Sequence, residues 1–208
     1  MIYRVAASGD KTAGMPEKAP ATVMEQAASK GFDVPLANAR PETEAEKTLE
    51  VASATISPGA AIPAKHSDYA DGVSPNLSWT KVEGAKSYAI VMEDPDSKPK
   101  QPFVHWVAWN IPAEITTLPE GLQEQLRLTE PEAVLQGANS RGSVGYYGPH
   151  PAVGDPAHRY HFQVLALDTL LDVPAGADRD TVLAAAKGHV LAKGELIGKY
   201  AQTVQPPK

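Results

Sequence analysis

Three separated stretches of this 208-residue chain set proton-carrying side chains beside residues that let a backbone approach a ligand closely. The first is Asp94-Pro95-Asp96, directly after an apolar run at 88–92. The second is His105-Trp106, opening the next apolar stretch. The third is Gly145-Tyr146-Tyr147-Gly148-Pro149-His150-Pro151, followed after a short turn by His158-Arg159-Tyr160. Taken singly, each has a plain structural reading. Asp-Pro-Asp initiates a turn, a lone histidine in a strand is ordinarily a core or surface residue, the Gly/Pro/Tyr stretch makes a rigid loop, and Arg159 is an ion-pair partner. Taken together they describe a concave site of two imidazoles, a phenol and loop amides beside one or two carboxylates. Imidazolium and phenol groups donate to phosphate oxygens, and glycine lets the loop backbone reach an anion. A carboxylate next to histidine raises its pKa and fixes its ring, so the site is expected to turn cationic near neutral pH. The same carboxylate can pair with an ammonium on the ligand or share a proton with a monoprotonated phosphate.

That chemistry requires strand ends that converge. Nineteen prolines and sixteen glycines punctuate short apolar runs, which favours many short strands. Strands are expected over 48–56, 77–79, 88–92, 104–111, 160–167 and 196–201. The run 88–92 is apolar on both faces, as in a strand buried between two layers. In 160–167, Tyr160, Phe162, Val164 and Ala166 share one face, and His161, Gln163, Leu165 and Leu167 share the other. One helix is expected from about Arg179 to Ala192, capped by Asp178 and ended by Gly194, with Val182, Leu183, Ala186 and Val190 at helical spacing. Residues 1–47 read as an N-terminal arm, partly helical over 21–30, and 48–208 as the main β domain.

Bulk properties narrow the function. The formal charge of -6 argues against a general nucleic-acid or anionic-membrane surface, though not against a local anion site. With no cysteine, disulfides and thiolate metal sites are excluded. No window approaches the roughly 20 apolar residues of a transmembrane span. The N-terminal sequence lacks an apolar h-region, so a cytoplasmic location is expected, or a periplasmic one if a signal peptide was removed before residue 1.

The ordered set Asp94-Pro95-Asp96, His105-Trp106-Val107-Ala108-Trp109-Asn110, Gly145 to Pro151 and His158-Arg159-Tyr160-His161-Phe162 resembles the phosphatidylethanolamine-binding proteins, closest to their bacterial Raf-kinase-inhibitor-like branch. Ser74-Pro75-Asn76-Leu77-Ser78-Trp79 upstream agrees, as do Gly188-His189-Val190-Leu191-Ala192 and Gly198-Lys199-Tyr200 downstream. The resemblance covers roughly 49–201. It implies a mainly β fold of two packed, mostly antiparallel sheets with a few peripheral helices, a C-terminal helix and a small pocket at one end. It further implies non-enzymatic binding of phosphate, phosphorylated headgroups or acetate-like anions, with no cofactor. A regulatory role toward an unnamed protein target and a homodimer are further implications. Carried over by position, Asp94 and His105 form one wall, Gly148 and Pro149 the loop wall, and His158 with Tyr160 the opposite wall; Asp96 follows the motif, and Arg159 braces the fold. The chain departs from the family pattern at Ala152, where a second proline is usual, and at Arg141, where an aromatic residue is usual. The usual Asp-Gly pair falls on Tyr69-Ala70 unless a shortened loop supplies Asp71-Gly72 instead. The competing reading is a phosphoester-acting enzyme with His105 or His158 as general acid/base and Asp94 orienting it. A metal variant of it takes His105, His158 and Asp94 as zinc ligands. There is no Gly-x-Ser-x-Gly elbow, and Ser140 and Ser143 read as loop residues.

Overall fold

The structure is a computed structural model that describes residues 34–98 and 101–204. Its strands are β1 (Lys47–Thr48), β2 (Val51–Ala52), β3 (Leu77–Trp79), β4 (Ser87–Asp94), β5 (Phe103–Pro112), β6 (Thr117–Leu118), β7 (Leu135–Gln136), β8 (His158–Leu167) and β9 (Val190–Tyr200), with one α-helix, α1 (Arg179–Ala186), among the described residues. Six strands form a large sheet in the order β1-β9-β8-β4-β5-β7, and three form a small one, β2-β3-β6. Pairing is antiparallel between these strands except where β1 lies parallel to β9.

The apolar run at 88–92 becomes the centre of β4, which is buried along all eight residues between β5 and β8. Its alternation sorts the core into two layers. Tyr88, Ile90 and Met92 pack with Val51, Leu77, Trp79 and Leu118 of the small sheet. Ala89 and Val91 join the other cluster, with Val182, Leu183 and Ala186 of α1. The large sheet is therefore covered on both faces, and the doubly apolar run follows from that burial. β8 alternates as its sequence indicates: Tyr160, Phe162, Val164 and Ala166 face the small sheet, while Leu165 and Leu167 face α1.

Two expectations are corrected. The helix stops at Ala186; Gly188 adopts a left-handed φ of 79°, and the chain leaves along an eleven-residue β9 that already includes Val190 and Ala192. Apolar residues at helical spacing past Gly188 belong to a strand, because a left-handed glycine ends an α-helix more firmly than spacing extends it. Asp178 does cap the helix, its side chain accepting from Thr181 N–H at 2.8 Å. The single strand expected over 48–56 divides: Thr48 pairs with Lys193 in the large sheet, and Val51 with Trp79 in the small one. The helix expected over 21–30 lies outside the described residues. Farther along that segment, 3-10 turns at Ala37–Ala39 and Pro41–Thr43 sit on the large sheet. There the fully buried Glu93 accepts from Ala37 N–H (2.7 Å), from Gln163 Nε2 (2.6 Å) and from the Arg179 guanidinium of α1.

Candidate ligand-binding site

β4 runs antiparallel to both β5 and β8, so the end of β4 and the beginnings of its two neighbours meet at one edge of the sheet. Asp94, His105 and His158 occupy these three ends and line one cavity of about 270 Å³, together with Ser97, Lys98, Phe103, Tyr147, His150, Pro151, Ala152 and Asp155.

The register explains why His105 faces inward. Met92 pairs with Trp106 but Glu93 pairs with Val104, so β5 carries one extra residue at this point. Val104 packs in the α1-side cluster and Trp106 in the inter-sheet cluster. Strict alternation from Trp106 would turn His105 toward α1. The bulge instead lets His105 and Trp106 share the inner side, where His105 meets the edge of Tyr160 with ring centroids 5.1 Å apart.

His105 Nδ1–H donates to the Tyr147 carbonyl at 2.7 Å, while Tyr147 N–H donates to the His105 carbonyl at 2.9 Å. Burial pushes the imidazole pKa down to about 4. His105 is therefore neutral at neutral pH and presents only an Nε2 lone pair. His105 thus adds nothing to the cationic character expected of the site, because burial outweighs the nearby carbonyls. His158 is held differently: its Nδ1–H donates to Asp94 Oδ2 at 2.8 Å, which leaves Nε2 as the ring nitrogen available to a ligand. Asp94 is itself fixed, Oδ1 accepting from Asp96 N–H at 2.7 Å. Burial raises the Asp94 pKa against the opposing pull of His158. Ser97 Oγ–H donates to the Asp94 carbonyl at 3.1 Å.

The remaining sequence-predicted residues lie behind this lining. Asp96 Oδ2 accepts from Arg159 N–H (2.9 Å) and Nε (2.8 Å), and Oδ1 from Nη2 (2.9 Å), so it braces the turn to β8. Tyr160 supports His105 from below, edge to face, and burial raises its pKa. Gly148 and Pro149 join two loops. A Cβ on Gly148 would stand 2.5 Å from the His66 carbonyl oxygen and 2.6 Å from Asp68 N, so only glycine permits this approach. Asp68 N–H donates to the Pro149 carbonyl at 3.2 Å, and Tyr146 O–H to the His66 carbonyl at 2.8 Å.

Sequence reasoning missed Ser97, Lys98, Phe103 and Asp155 in the lining, and the part Asp68 plays beside it. Asp155 carried a readable signal, since a turn three residues before His158 brings its carboxylate to 4.0 Å from Nε2. Lys98 Nζ lies 3.3 Å from the same carboxylate. Gly72 turns the chain at a left-handed φ of 62°. The Tyr69 hydroxyl donates to the Pro151 carbonyl at 2.8 Å. Among the described residues no group of three or more His, Cys, Asp or Glu side chains is arranged to hold a metal ion. The His105, His158 and Asp94 set weighed for zinc is not brought together as such a group. Nor is any helix among them long and apolar enough to cross a membrane.

Fold and site define a two-sheet β protein with a small cavity at the strand ends that is lined by charged and aromatic side chains. Residues 52–201 match the phosphatidylethanolamine-binding protein family. The chain is 43% identical to a UPF0098 protein of Pyrococcus horikoshii over 143 residues, covering 67% of this chain and 70% of that one. A phosphatidylethanolamine-binding protein homologue from Chlamydia trachomatis superposes with a TM-score of 0.67 at 33% identity, over 76% of this chain and 99% of the other. YbcL of Escherichia coli, described as a member of the mammalian PEBP family, does so at 0.68 and 30% identity, over 74% and 98%. The chain belongs to the phosphatidylethanolamine-binding protein family.

Proposed function

We propose that this cavity binds small anions, phosphate and phosphorylated headgroups among them, and holds them without chemical turnover. The observation that carries this reading is the His158–Asp94 pair. With Nδ1 committed to Asp94 at 2.8 Å, the imidazole is fixed in orientation and offers Nε2 to the cavity. Lys98 adds a cation on the same wall. The volume, about 270 Å³, lies just under the roughly 300–1,000 Å³ usual for drug-sized ligands, which suits a headgroup rather than a whole lipid. Binding without turnover is favoured because Ser97, the hydroxyl nearest in sequence to Asp94, spends its proton on the Asp94 carbonyl. Isothermal titration with inorganic phosphate and phosphoethanolamine should give heat with both, and His158 ring NMR signals should move on addition. No heat with either ligand and unmoved ring signals would overturn the reading.

The His158–Asp94 geometry also favours a second reading, phosphoester hydrolysis with His158 as general acid/base. Hydrolysis that survives exhaustive purification and disappears in His158→Ala would establish it over plain binding.

A further inference from the structure

Along one side of the cavity, four rings form a column that leads from its floor to the rim. His105 stacks on Tyr147 (centroids 5.4 Å apart, planes 5° apart), Tyr147 on His150 (6.1 Å, 23°) and His150 on Tyr69 (4.1 Å, 15°). The Arg141 guanidinium lies over the Tyr147 ring at 4.7 Å. One carboxylate ties the rim together: Asp68 Oδ1 accepts from Arg141 Nη1 at 3.1 Å, and its Oδ2 lies 2.9 Å from His150 Nδ1.

We propose that Arg141 and His150 form an outer anion subsite at the mouth of the cavity, so that the chain prefers phosphomonoesters bearing a second negative group. This rests on the reading that the cavity itself holds an anion. Four features argue for it. First, Arg141 uses one of its guanidinium donors on Asp68, and the remaining donors form the fork that takes a carboxylate or phosphate in bidentate fashion. Second, the ring beneath it and the carboxylate beside it hold the guanidinium in place before any ligand arrives, which removes most of the ordering cost. Third, the Arg141 and His150 side chains are 55% and 42% exposed, and an ion pair this open is weak and screened, so a ligand anion can share or replace Asp68. Fourth, the inner cavity sets the carboxyl groups of Asp94 and Asp155 beside a single lysine, Lys98, and His105 is neutral. Inside charge alone therefore discriminates poorly between a singly and a doubly anionic ligand. The exposed guanidinium at the mouth supplies the missing discrimination.

Phosphoethanolamine and phosphoserine differ by a single carboxylate and make a matched pair of probes. Titrated into the purified full-length chain, phosphoserine should bind about fivefold or more tightly than phosphoethanolamine, the size of one exposed charge-assisted contact. In Arg141→Ala that ratio should fall to near one, and in the parent chain it should shrink as salt rises. Equal affinities in the parent chain, or a preference that survives Arg141→Ala, would overturn the outer subsite while leaving the inner site standing. Failure of both probes and of inorganic phosphate to bind would overturn the inner site and the outer one with it.

Discussion

His105 and His158 line the same cavity yet are held in different ways. Asp94 faces the Nδ1 of His158, whereas the Nδ1 of His105 meets a carbonyl and the ring is buried at 3% exposure, which pushes its pKa to about 4. A histidine whose folded pKa is depressed below its unfolded value leaves the unfolded chain binding more protons. Stability from this group is then complete above about pH 6.5 and is lost progressively as pH falls toward 4, by about 3 kcal/mol in all. Urea midpoints measured between pH 7.5 and 4 should therefore fall less steeply for His105→Gln than for the parent chain. Parallel curves would show that His105 takes up its proton as easily folded as unfolded. The residue types at this site were legible in the sequence, because Asp94, His105 and His158 stand at the ends of apolar runs. Their charge states were not, since neither burial nor the identity of the Nδ1 acceptor can be read from a one-dimensional order. Asp96 illustrates the limit: it repeats the type of Asp94 two residues on, yet pairs with Arg159 behind the wall.

At the scale of elements, the cavity depends on two loops being held together as much as on the strands beneath. The 64–73 and 145–152 segments are joined by backbone and hydroxyl bonds and by the near contact at Gly148. Gly148→Ala forces a methyl group to within 2.7 Å of three backbone atoms and should cost about 1–3 kcal/mol, as overpacking does. Because the strain falls on the mouth, the same variant should weaken phosphate binding, and titration beside a thermal melt would register both effects. A melt indistinguishable from the parent would mean that the two loops part freely. The long, buried strands were readable here, while the two-residue strands β1, β2, β6 and β7 mostly were not. Long strands declare themselves through a run of apolar or alternating residues. Short ones depend on neighbours brought in from elsewhere, as when Val51 finds Trp79 across the small sheet. The overextended helix has a similar origin, because Val190 and Ala192 continue a helical spacing that Gly188 has already ended.

On the whole-molecule scale, adjacent residues of β4 serve different parts of the protein. Asp94 turns to the cavity, and Glu93 turns to the opposite face, where it ties together the backbone at Ala37, Gln163 of β8 and Arg179 of α1. Removing one member of a buried pair leaves the other uncompensated, so Arg179→Ala should cost about 3–5 kcal/mol. Arg40→Ala breaks a pair whose other member, Asp180, is 62% exposed, and should cost less than about 1 kcal/mol. Chemical denaturation of the two variants side by side measures the contrast; similar losses would mean that Glu93 finds other partners. The extra residue at His105 bears on how the sheet assembles. A strand of plain alternation can slide past its neighbour by two residues and still present the same face. β5 cannot do so along β4, because one irregularity lies between the Met92 and Glu93 pairings and another between those of Tyr88 and Ile90. Each acts as a detent: a shifted pairing would bring a doubled position against a regular one. The distortion that turns a histidine into the cavity thus also gives the central hairpin a single stop, and it rejects slipped pairings while the sheet is still forming.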